Sequence, residues 1–221
     1  MVNNLHFSTL VASDVDFSPL AVGGLTYGTT LNELANAYMV YGNGGTYYDS
    51  TIISMVYDQS GNAVIDHQTK YGEQAVDSQT AYVMNRLLRR VVENTNDGTG
   101  RYAALPDTEV IGKTGTSQDF KDLGFVGLTP DYVSAIWLGY DEKYTFNYNN
   151  YPNSSKTWRN VFGDYANAVH NKTHTSFPVD KNVKELSFCS VTGLIANDNC
   201  PKCPVPGYYK STNTPAVCTS H

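Results

Sequence analysis

Three short strand-like runs follow one another in the middle of the chain, and they constrain the fold more than any other feature. They cover residues 111–116, 125–128 and 133–140, and a Thr-Pro-Asp turn at 129–131 joins the last two. Strands with such short connections pair antiparallel, because a parallel pair needs a crossover of a dozen or more residues. The sequence therefore predicts an antiparallel sheet. An additional hairpin is predicted from residues 51–57 and 63–66.

Helices are predicted before and after these strands. Thr30 and Glu33 form a capping-box pattern for a helix that ends at the glycine-rich residues 42–45. Ser78 is the predicted N-cap of a second helix, and the last helix is predicted to begin at Ser155 or Thr157. The second helix has an apolar stripe formed by Val83, Met84, Leu87, Leu88, Val91 and Val92. Its arginines are expected on the opposite, solvated face; they are Arg86, Arg89 and Arg90. The last helix is expected to pack on the sheet through Trp158, Val161, Phe162, Tyr165 and Val169.

Composition narrows the classes of function. A chain of 221 residues with 41% hydrophobic residues can bury a sizeable core, so one domain with an appendage is expected. A net charge of −6 and a pI near 5.2 argue against a nucleic-acid or anionic-membrane partner. No apolar run of 18 residues and no signal-peptide pattern is present. We therefore expect either a cytoplasmic chain or a piece of a longer protein.

The four cysteines lie close together near the end of the sequence, at Cys189, Cys200, Cys203 and Cys218. This clustering is typical of a small disulfide framework or of a metal site. Disulfides are favoured, with nearest neighbours paired as Cys189–Cys200 and Cys203–Cys218. The alternative is a zinc site in which Cys200 and Cys203 are joined by Cys189, Cys218 or His221. It is less favoured because only one short Cys-x-x-Cys pair is present.

The first of the three strand runs also carries the candidate functional residues. In a strand, Lys113 and Gly115 lie on one face and Thr114 and Thr116 on the other. A glycine inside a strand often marks close approach of another backbone, which suits an edge that pairs with an extended peptide. The Lys113 ammonium, with the hydroxyl and N–H of Thr116, can hold a carboxylate or a developing oxyanion. The simpler interpretation is a solvated lysine in a turn.

The sequence around this strand resembles a known family. Lys113-Thr114-Gly115 is similar to the third signature of the serine β-lactamases and penicillin-binding proteins. Residues 125–130 and 135–141 resemble the two segments that follow this strand in class A penicillin-binding proteins, and residues 23–28, 31–38 and 42–45 resemble segments that precede it. The resemblance runs from about residue 21 to about residue 169. One departure is Gly124, which stands where the family pattern leads us to expect a tryptophan, so this wall of the cleft is expected to be more open.

The resemblance implies a fold, a reaction and partners. The fold is α/β of the α+β type, an antiparallel sheet flanked by helices, incomplete at its N-terminus. Residues 1–170 are predicted to belong to the transpeptidase domain and residues 171–221 to an extended cysteine-containing tail. The reaction is cross-linking of D-Ala-D-Ala stem peptides of peptidoglycan through a serine acyl-enzyme, on the extracytoplasmic face of a bacterial membrane. The implied partners are these stem peptides, β-lactam antibiotics and the N-terminal portion of the same enzyme, with no cofactor, metal or nucleic acid.

The resemblance also assigns roles to residues. Lys113 and Thr116 are the predicted catalytic residues, and Thr114 and Gly115 join them in substrate binding. The family's Ser-x-x-Lys nucleophile is not found in the sequence, and a Ser-x-Asn at residues 211–213 comes after Lys113 instead of before it. We therefore expect the serine to be supplied from outside this chain and the chain alone to be inactive. The alternatives are a non-catalytic cell-wall or β-lactam-recognition fragment, and part of a D,D-carboxypeptidase or β-lactamase.

Overall fold

The computed structural model describes residues 2–67, 71–142, 144–147, 149–163, 165, 174–203 and 205–221. Within these ranges the α-helices are α1 Phe17–Val22, α2 Leu31–Met39, α3 Ser78–Glu93 and α4 Ser154–Trp158. The strands are β1 Thr46–Tyr47, β2 Met55–Tyr57, β3 Ala63–Asp66, β4 Glu73–Gln74, β5 Ile111–Thr116, β6 Leu123–Leu128, β7 Val133–Leu138, β8 Val183–Leu186 and β9 Gly207–Lys210. No helix in the described ranges combines the length and apolar character needed to cross a membrane.

The predicted antiparallel sheet is confirmed in the order β5-β6-β7. Ile111 pairs with Leu128 and Thr116 with Leu123, so β5 and β6 are in register along their whole length. The β6–β7 pairing is equally regular. The second strand begins at residue 123, two residues earlier than predicted, and the third ends at residue 138. In the described part of the chain β5 pairs only with β6, which makes β5 an edge strand.

Helices cover both faces of this sheet. On one face, Ile111, Val126 and Leu128 belong to a core cluster that includes Ala37 of α2 and Ala81 and Leu88 of α3. On the other face, Phe125 packs edge-on against Trp158 of α4, with ring centroids 5.4 Å apart. The alternation of side chains along β6 therefore feeds two separate apolar layers. This arrangement matches the predicted sheet flanked by helices.

The predicted capping box at the start of α2 is confirmed. The Thr30 hydroxyl accepts a hydrogen bond from the Glu33 amide at 3.2 Å, and the Thr30 amide donates to Glu33 Oε2 at 3.3 Å. The Ser8 amide also donates to Glu33 Oε1 at 2.9 Å. Hydrogen bonds from the side chain and backbone of Ser8 and from Thr30 lower the pKa of Glu33 to about 2, against the opposing effect of burial.

The assignment of α3 needs two corrections. Its N-cap is Asp77, which accepts a hydrogen bond from the Thr80 amide at 3.1 Å, so the predicted cap Ser78 is the first residue of the helix. The expectation that Arg86 lies on a solvated face is wrong, because its side chain is buried, and Leu87 of the predicted apolar stripe is 54% exposed. The buried stripe of α3 is therefore rotated around the helix axis relative to the prediction, so that it includes Arg86 and leaves out Leu87.

A buried carboxylate explains why Arg86 lies inside. Glu109 Oε1 accepts a hydrogen bond from Arg86 Nη1 at 2.9 Å and forms an ion pair with Arg89 Nε, also at 2.9 Å. Glu109 Oε2 accepts a hydrogen bond from the Phe177 amide at 2.7 Å. The Arg86 side chain also donates to Asn85 Oδ1. A buried charge is tolerated when it is paired and hydrogen-bonded in this way.

Two other sequence-based boundaries also differ from the structure. The predicted strand at 51–57 is reduced to β2, because the Thr51 hydroxyl accepts from the Ile53 amide at 3.2 Å and donates to the Ile53 carbonyl at 2.9 Å, which favours a local turn. The last helix begins at Ser154 and not at Ser155 or Thr157, with Asn153 as its N-cap.

The packing face predicted for the last helix is only partly present. Trp158 is buried, but α4 continues into a π-helical turn, Arg159–Gly163, in which Val161 is exposed. Tyr165 is also exposed, and Val169 lies outside the described residues. The change from α-helical to π-helical geometry shifts the angular position of later side chains, which a constant period of 3.6 does not anticipate.

The tail after residue 174 is in contact with the rest of the chain. Phe177 is buried in the core cluster that contains Ile111. Strands β8 and β9 form an antiparallel pair, and Lys210 Nζ donates to Asp77 Oδ1 at 2.8 Å. The predicted disulfides are not formed: all four cysteines are free thiols in the structure. The division at residue 170 stays a prediction.

The Glu109 cluster leads to a prediction about stability. We expect Glu109→Gln to lower the free energy of unfolding by about 3 kcal/mol or more, because it leaves the buried Arg86 guanidinium without a counter-charge. Glu93→Gln is the matched control, since Glu93 is a half-exposed partner of Arg89 and should cost less than about 1 kcal/mol. Urea unfolding of both variants tests this, and equal losses would contradict the assigned role of Glu109.

The lowered pKa of Glu33 predicts a pH dependence. Its carboxylate contributes stability that is complete above its ordinary pKa of 4.5 and is lost as the pH falls towards about 2. We therefore expect Glu33→Gln to be less stable than the wild type near neutral pH, with a difference that shrinks between those values. Chemical unfolding as a function of pH measures this. The control is Glu142→Gln, because Glu142 is an exposed residue in a loop. A difference that stays constant down to about pH 2 would refute it.

Candidate active-site strand

The three-residue Lys113-Thr114-Gly115 signature lies in the middle of the edge strand β5. Its register with β6 has no bulge: Lys113 pairs with Val126, and Gly115 with Gly124. Regular pairing preserves the expected alternation, with Lys113 and Gly115 on one face and Thr114 and Thr116 on the other. The four predicted site residues are thus brought together along one strand, but not on one face. They share the edge of β5, where an added strand could reach both faces.

The lysine is available to a ligand. The Lys113 side chain is exposed, and its Nζ donates to the carbonyl of the adjacent Thr114 at 3.0 Å. A hydrogen bond to a neutral carbonyl is easily exchanged for one to a carboxylate, because the carboxylate adds the attraction between opposite charges. The ammonium is thus held beside the strand edge.

Thr114 connects the strand to the loop that precedes it. Its hydroxyl donates to Thr99 Oγ1 at 3.0 Å, and Thr99 lies between Gly98 and Gly100. Side chains at these two glycines would collide with their surroundings: a Cβ at residue 98 would lie 2.5 Å from the Asn94 carbonyl oxygen, and one at residue 100 would lie 3.0 Å from Phe125. The Gly-Thr-Gly loop therefore packs closely against the end of α3 and supports β5 from the Thr114 side.

The two glycines of β5 have opposite environments. A Cβ on Gly112 would lie 2.5 Å from the Val126 carbonyl oxygen and 2.6 Å from the Phe125 ring. A Cβ on Gly115 would meet no atom of the described residues within 4 Å. Gly112 is thus required by internal packing, whereas Gly115 leaves open space on the face that carries Lys113. This open space agrees with the predicted close approach of a peptide.

The open face continues across the sheet. Gly124, next to Gly115 in the register, would place a Cβ no closer than 3.6 Å to another atom. The following residue in this row is Trp137 of β7, whose indole is 42% exposed and donates to Asp122 Oδ1 at 2.9 Å. The indole lies against Gly139, where a Cβ would be 2.2 Å from the ring. Gly124 therefore leaves uncrowded space on this wall among the described residues. That the cleft is more open than in the family stays a prediction.

Trp137 and Asp122 were missed by the sequence analysis. The signal that could have found them is the register: counting pairs outward from the turn at 129–131 places Trp137 opposite Gly124. The hydrogen bond to Asp122 depends on the turn after β5, which sequence patterns do not define. In that turn Asp119 and Phe120 both have positive φ angles, near 60° and 55°.

The region around Lys113 is an open wall of the sheet, with uncrowded space beside Gly115. Two concavities in the described part of the chain lie elsewhere, one between α3 and β9 and the other beside Phe177, and residues 113–116 line neither. No cluster of potential metal ligands occurs at this strand among the described residues, and the cluster that does occur lies in the cysteine tail. The groups that this strand offers to a ligand are the Lys113 ammonium, the threonine hydroxyls and backbone N–H and C=O groups.

Comparison with known proteins identifies the family. Residues 8–169 match the model of the penicillin-binding protein transpeptidase domain. The chain belongs to this family. More specifically, it is part of the transpeptidase domain of a class A penicillin-binding protein, as its resemblance to that family indicated. The matched span includes β5 and therefore residues 113–116.

Individual relatives agree with this identification. Penicillin-binding protein 4 of Bacillus subtilis is 38% identical over 136 residues, which are 62% of this chain and 21% of that protein. The crystal structure of penicillin-binding protein 1A from Haemophilus influenzae aligns with this chain with a TM-score of 0.74 and 18% identity. The aligned region covers 97% of this chain and 36% of that one. A Mycobacterium tuberculosis penicillin-binding protein, solved in complex with penicillin V, covers 80% of this chain and 50% of its own, with a TM-score of 0.63 and 19% identity.

These matches cover only part of each relative. The chain spans less than a quarter of the length of the curated penicillin-binding proteins that it matches. The two structural neighbours, at under 20% identity, show that the fold is shared. Family membership therefore establishes the type of domain, and the roles of individual residues depend on the geometry described above.

The contrast between the two glycines of β5 predicts a difference in stability. We expect Gly115→Ala to leave the free energy of unfolding unchanged or to raise it by up to about 1 kcal/mol, because a strand glycine is entropically costly and the added methyl meets open space. Gly112→Ala should lower it by more than about 1 kcal/mol, because the methyl overlaps Val126 and Phe125. Thermal and urea unfolding of the two variants test this, and equal effects would contradict the assigned packing.

Proposed function

We propose that this chain supplies the substrate-binding strand of a peptidoglycan D,D-transpeptidase. The observation that carries the proposal is the combination on β5 of an exposed ammonium, Lys113, with uncovered backbone at Gly115, on a strand edge that no other described strand pairs with. An extended stem peptide would add to this edge as a further antiparallel strand. Family membership supports the same reaction class.

The chemistry of a D-Ala-D-Ala terminus suits this edge. The terminal carboxylate would be held by the Lys113 ammonium and the Thr116 hydroxyl, which would place the preceding amide bond beside β5. The Thr116 N–H would donate to the oxygen that becomes negative when that amide carbonyl is attacked. Thr114 would keep the strand fixed through Thr99, and Gly115 would admit the peptide backbone. Local positive charge matters here because the chain as a whole carries −6.

The reaction would proceed in two steps. A serine oxygen attacks the carbonyl carbon of the penultimate D-Ala, its proton passes to the leaving amine, and the terminal D-Ala is released. An amine of a neighbouring stem peptide then attacks the acyl-enzyme ester, forms the cross-link amide and returns a proton to the serine oxygen. We propose that the serine and its lysine lie in polypeptide outside these 221 residues, because no Ser-x-x-Lys occurs in the sequence. This chain alone would then be inactive.

The proposed partners follow from this mechanism. β-Lactams would occupy the same edge, since their ring amide and carboxylate imitate the peptide terminus, and a structural neighbour of this chain has been solved with penicillin V. The remaining partner would be the N-terminal portion of the same enzyme, which would complete the cleft opposite β5. A peptidoglycan substrate would place the domain on the extracytoplasmic side of a bacterial membrane, where that portion would anchor it. The chemistry needs no metal and no cofactor at this edge.

Labelling with a fluorescent penicillin tests this assignment. The 221-residue chain should remain unlabelled, whereas a longer polypeptide that includes the Ser-x-x-Lys segment should be labelled covalently. Labelling of the short chain would overturn the view that its nucleophile is supplied from outside. No labelling of the longer polypeptide would favour a non-catalytic recognition fragment. Analysis of stem-peptide products then separates cross-linking from release of D-Ala by hydrolysis, which would indicate a carboxypeptidase.

The role of Lys113 gives a quantitative prediction. In the longer polypeptide, Lys113→Ala should lower the rate of penicillin acylation by about 100-fold or more, the loss typical of removing one electrostatic contact to the reacting group. The free energy of unfolding should change by less than about 0.5 kcal/mol, because the side chain is exposed. Lys121→Ala, an exposed lysine just beyond the strand, is the matched control and should acylate at the wild-type rate. An undiminished rate in Lys113→Ala would remove this residue from the site.

A further inference from the structure

Three cysteines from distant positions meet in the tail. The sulfur atoms of Cys189, Cys200 and Cys218 all lie within 4.8 Å of one another, and the three residues are 0%, 7% and 1% exposed. Cys203 is less buried and does not belong to this group. The transpeptidase chemistry of β5 does not explain why three thiols from separate positions in the sequence come together in the tail.

Backbone hydrogen bonds hold two of these cysteines in place. The Cys189 amide donates to the Leu194 carbonyl at 2.8 Å, and the Gly193 amide donates back to the Cys189 carbonyl at 2.9 Å. The Cys218 amide donates to the Ile195 carbonyl at 2.8 Å. Residues 194 and 195 are neighbours, so the two cysteines are fixed on either side of one short segment. The positive φ of 73° at Gly193 permits the tight turn that joins Cys189 to Leu194.

The third cysteine arrives from the opposite side. Cys189 forms an isolated β-bridge with Lys202, and the Ser190 amide donates to the Pro201 carbonyl at 2.9 Å. These contacts bring the Cys200 loop against the segment that carries Cys189. The tail thus folds around the three sulfur atoms.

The number and spacing of the thiols favour a metal over disulfides. One disulfide uses two sulfur atoms at about 2.05 Å, so pairing within this group would leave the third thiol buried and unpaired. Tetrahedral zinc with Zn–S bonds of about 2.3 Å places its sulfur ligands roughly 3.8 Å apart, which is compatible with a group whose members lie within 4.8 Å. No disulfide occurs among the four cysteines.

The apolar content of the tail makes a metal useful. The hydrophobic side chains that pack on the three cysteines are Leu194 and Ala196, and both are only partly buried. So small an apolar cluster contributes little stability, and small units of this kind are commonly held by a metal or by disulfides. A metal bound by three segments would replace the missing core, because its binding free energy becomes folding free energy.

We propose that Cys189, Cys200 and Cys218 bind a structural Zn²⁺ ion as thiolates. Thiolate ligands select soft or borderline ions, and zinc is the common choice for tetrahedral structural sites. The Thr192 hydroxyl, 3.4 Å from the Cys218 sulfur, donates a hydrogen bond of the kind that orients a metal ligand. This assignment revises the disulfide pairing and the absence of a metal predicted from the sequence.

The fourth ligand is assigned to the last residue of the sequence. Asn197 Nδ2 donates to the carbonyl oxygens of Cys218 at 2.9 Å and of His221 at 3.3 Å, which keeps the end of the chain folded back next to the cluster. The His221 imidazole follows Cys218 at the Cys-x-x-His spacing. Its ring nitrogens are not among the ligand atoms that lie within 4.8 Å of one another, so the imidazole would have to move towards the ion on binding. The result would be a closed site with three cysteines and one histidine, a recognised class of structural zinc site.

The test uses the full 221-residue chain, purified under reducing conditions with zinc present. We expect one equivalent of zinc per chain by elemental analysis. Replacement of zinc by Co²⁺ should give the charge-transfer absorption of thiolate ligands and the visible bands of tetrahedral cobalt. Removal by a chelator should lower the melting temperature, and added zinc should restore it. A chain that contains less than about 0.2 equivalents of zinc, shows no cobalt bands and carries disulfides by mass spectrometry would overturn the proposal.

Single substitutions identify the ligands. Cys189→Ser, Cys200→Ser and Cys218→Ser should each weaken zinc binding by about 100-fold or more, measured by competition with a chelating dye. Cys203→Ser is the matched control, with the same chemical change outside the group, and should bind zinc like the wild type. An equal loss in Cys203→Ser would overturn the three-cysteine assignment. His221→Ala should retain thiolate-to-cobalt absorption but alter the visible bands, whereas unchanged bands would overturn its assignment as the fourth ligand.

The metal-binding readouts are independent of the transpeptidase proposal. Zinc content and cobalt spectra are measured without penicillin or stem peptide, so failure at β5 would leave the metal site unaffected. A variant that fails to fold is recognised by its circular dichroism spectrum. In that case, protection of the wild-type thiols from alkylation, with zinc and after its removal, decides the question. Protection of three cysteines only in the presence of zinc supports the site, and equal reactivity in both states contradicts it.

Discussion

The Glu109 carboxylate connects the parts of the chain on which the position of β5 depends. It lies just before that strand, accepts a hydrogen bond from Arg86 of α3, forms an ion pair with Arg89 of the same helix, and accepts a second hydrogen bond from the Phe177 amide. A buried carboxylate must satisfy its oxygens with charged or polar donors, so the helix, the strand entry and the start of the tail are fixed together. The edge that carries Lys113 is therefore oriented by a charge cluster on the α3 side of the sheet.

The local features of the fold were predictable from the sequence because they depend on neighbouring residues. The capping box of Thr30 and Glu33 spans four positions, and the hairpin between β6 and β7 depends on the turn at 129–131. Lys113 and Gly115 could be placed on one face from alternation alone. The burial of Arg86 could not be predicted, because its partner Glu109 is 23 positions away and becomes visible only when α3 packs against the start of β5.

The same reasoning separates what could and could not be foreseen in the tail. Cysteine spacing along the sequence favoured nearest-neighbour pairs, since short loops are the simplest to close. In the structure the two cysteines that are closest in the sequence do not belong together: Cys200 is part of the buried group, whereas Cys203 lies outside it. The difference arises from the isolated β-bridges of residues 188, 189 and 195, which bring Cys189 and Cys218 together across 29 positions. Such contacts lack a periodic sequence signal.

An unpaired strand edge has a physical cost that bears on the function of β5. Exposed backbone donors and acceptors invite pairing with other chains, and natural proteins protect such edges with charges or by covering them. Lys113 provides a charge, but Gly115 removes the side chain that would shield the next backbone position, so β5 is only partly protected. A strand selected only for solubility has no reason to keep a glycine where a larger side chain would fit. Because Gly115 occupies uncrowded space, unlike Gly112, its presence is better explained by an extended ligand or another part of the protein that must approach this edge.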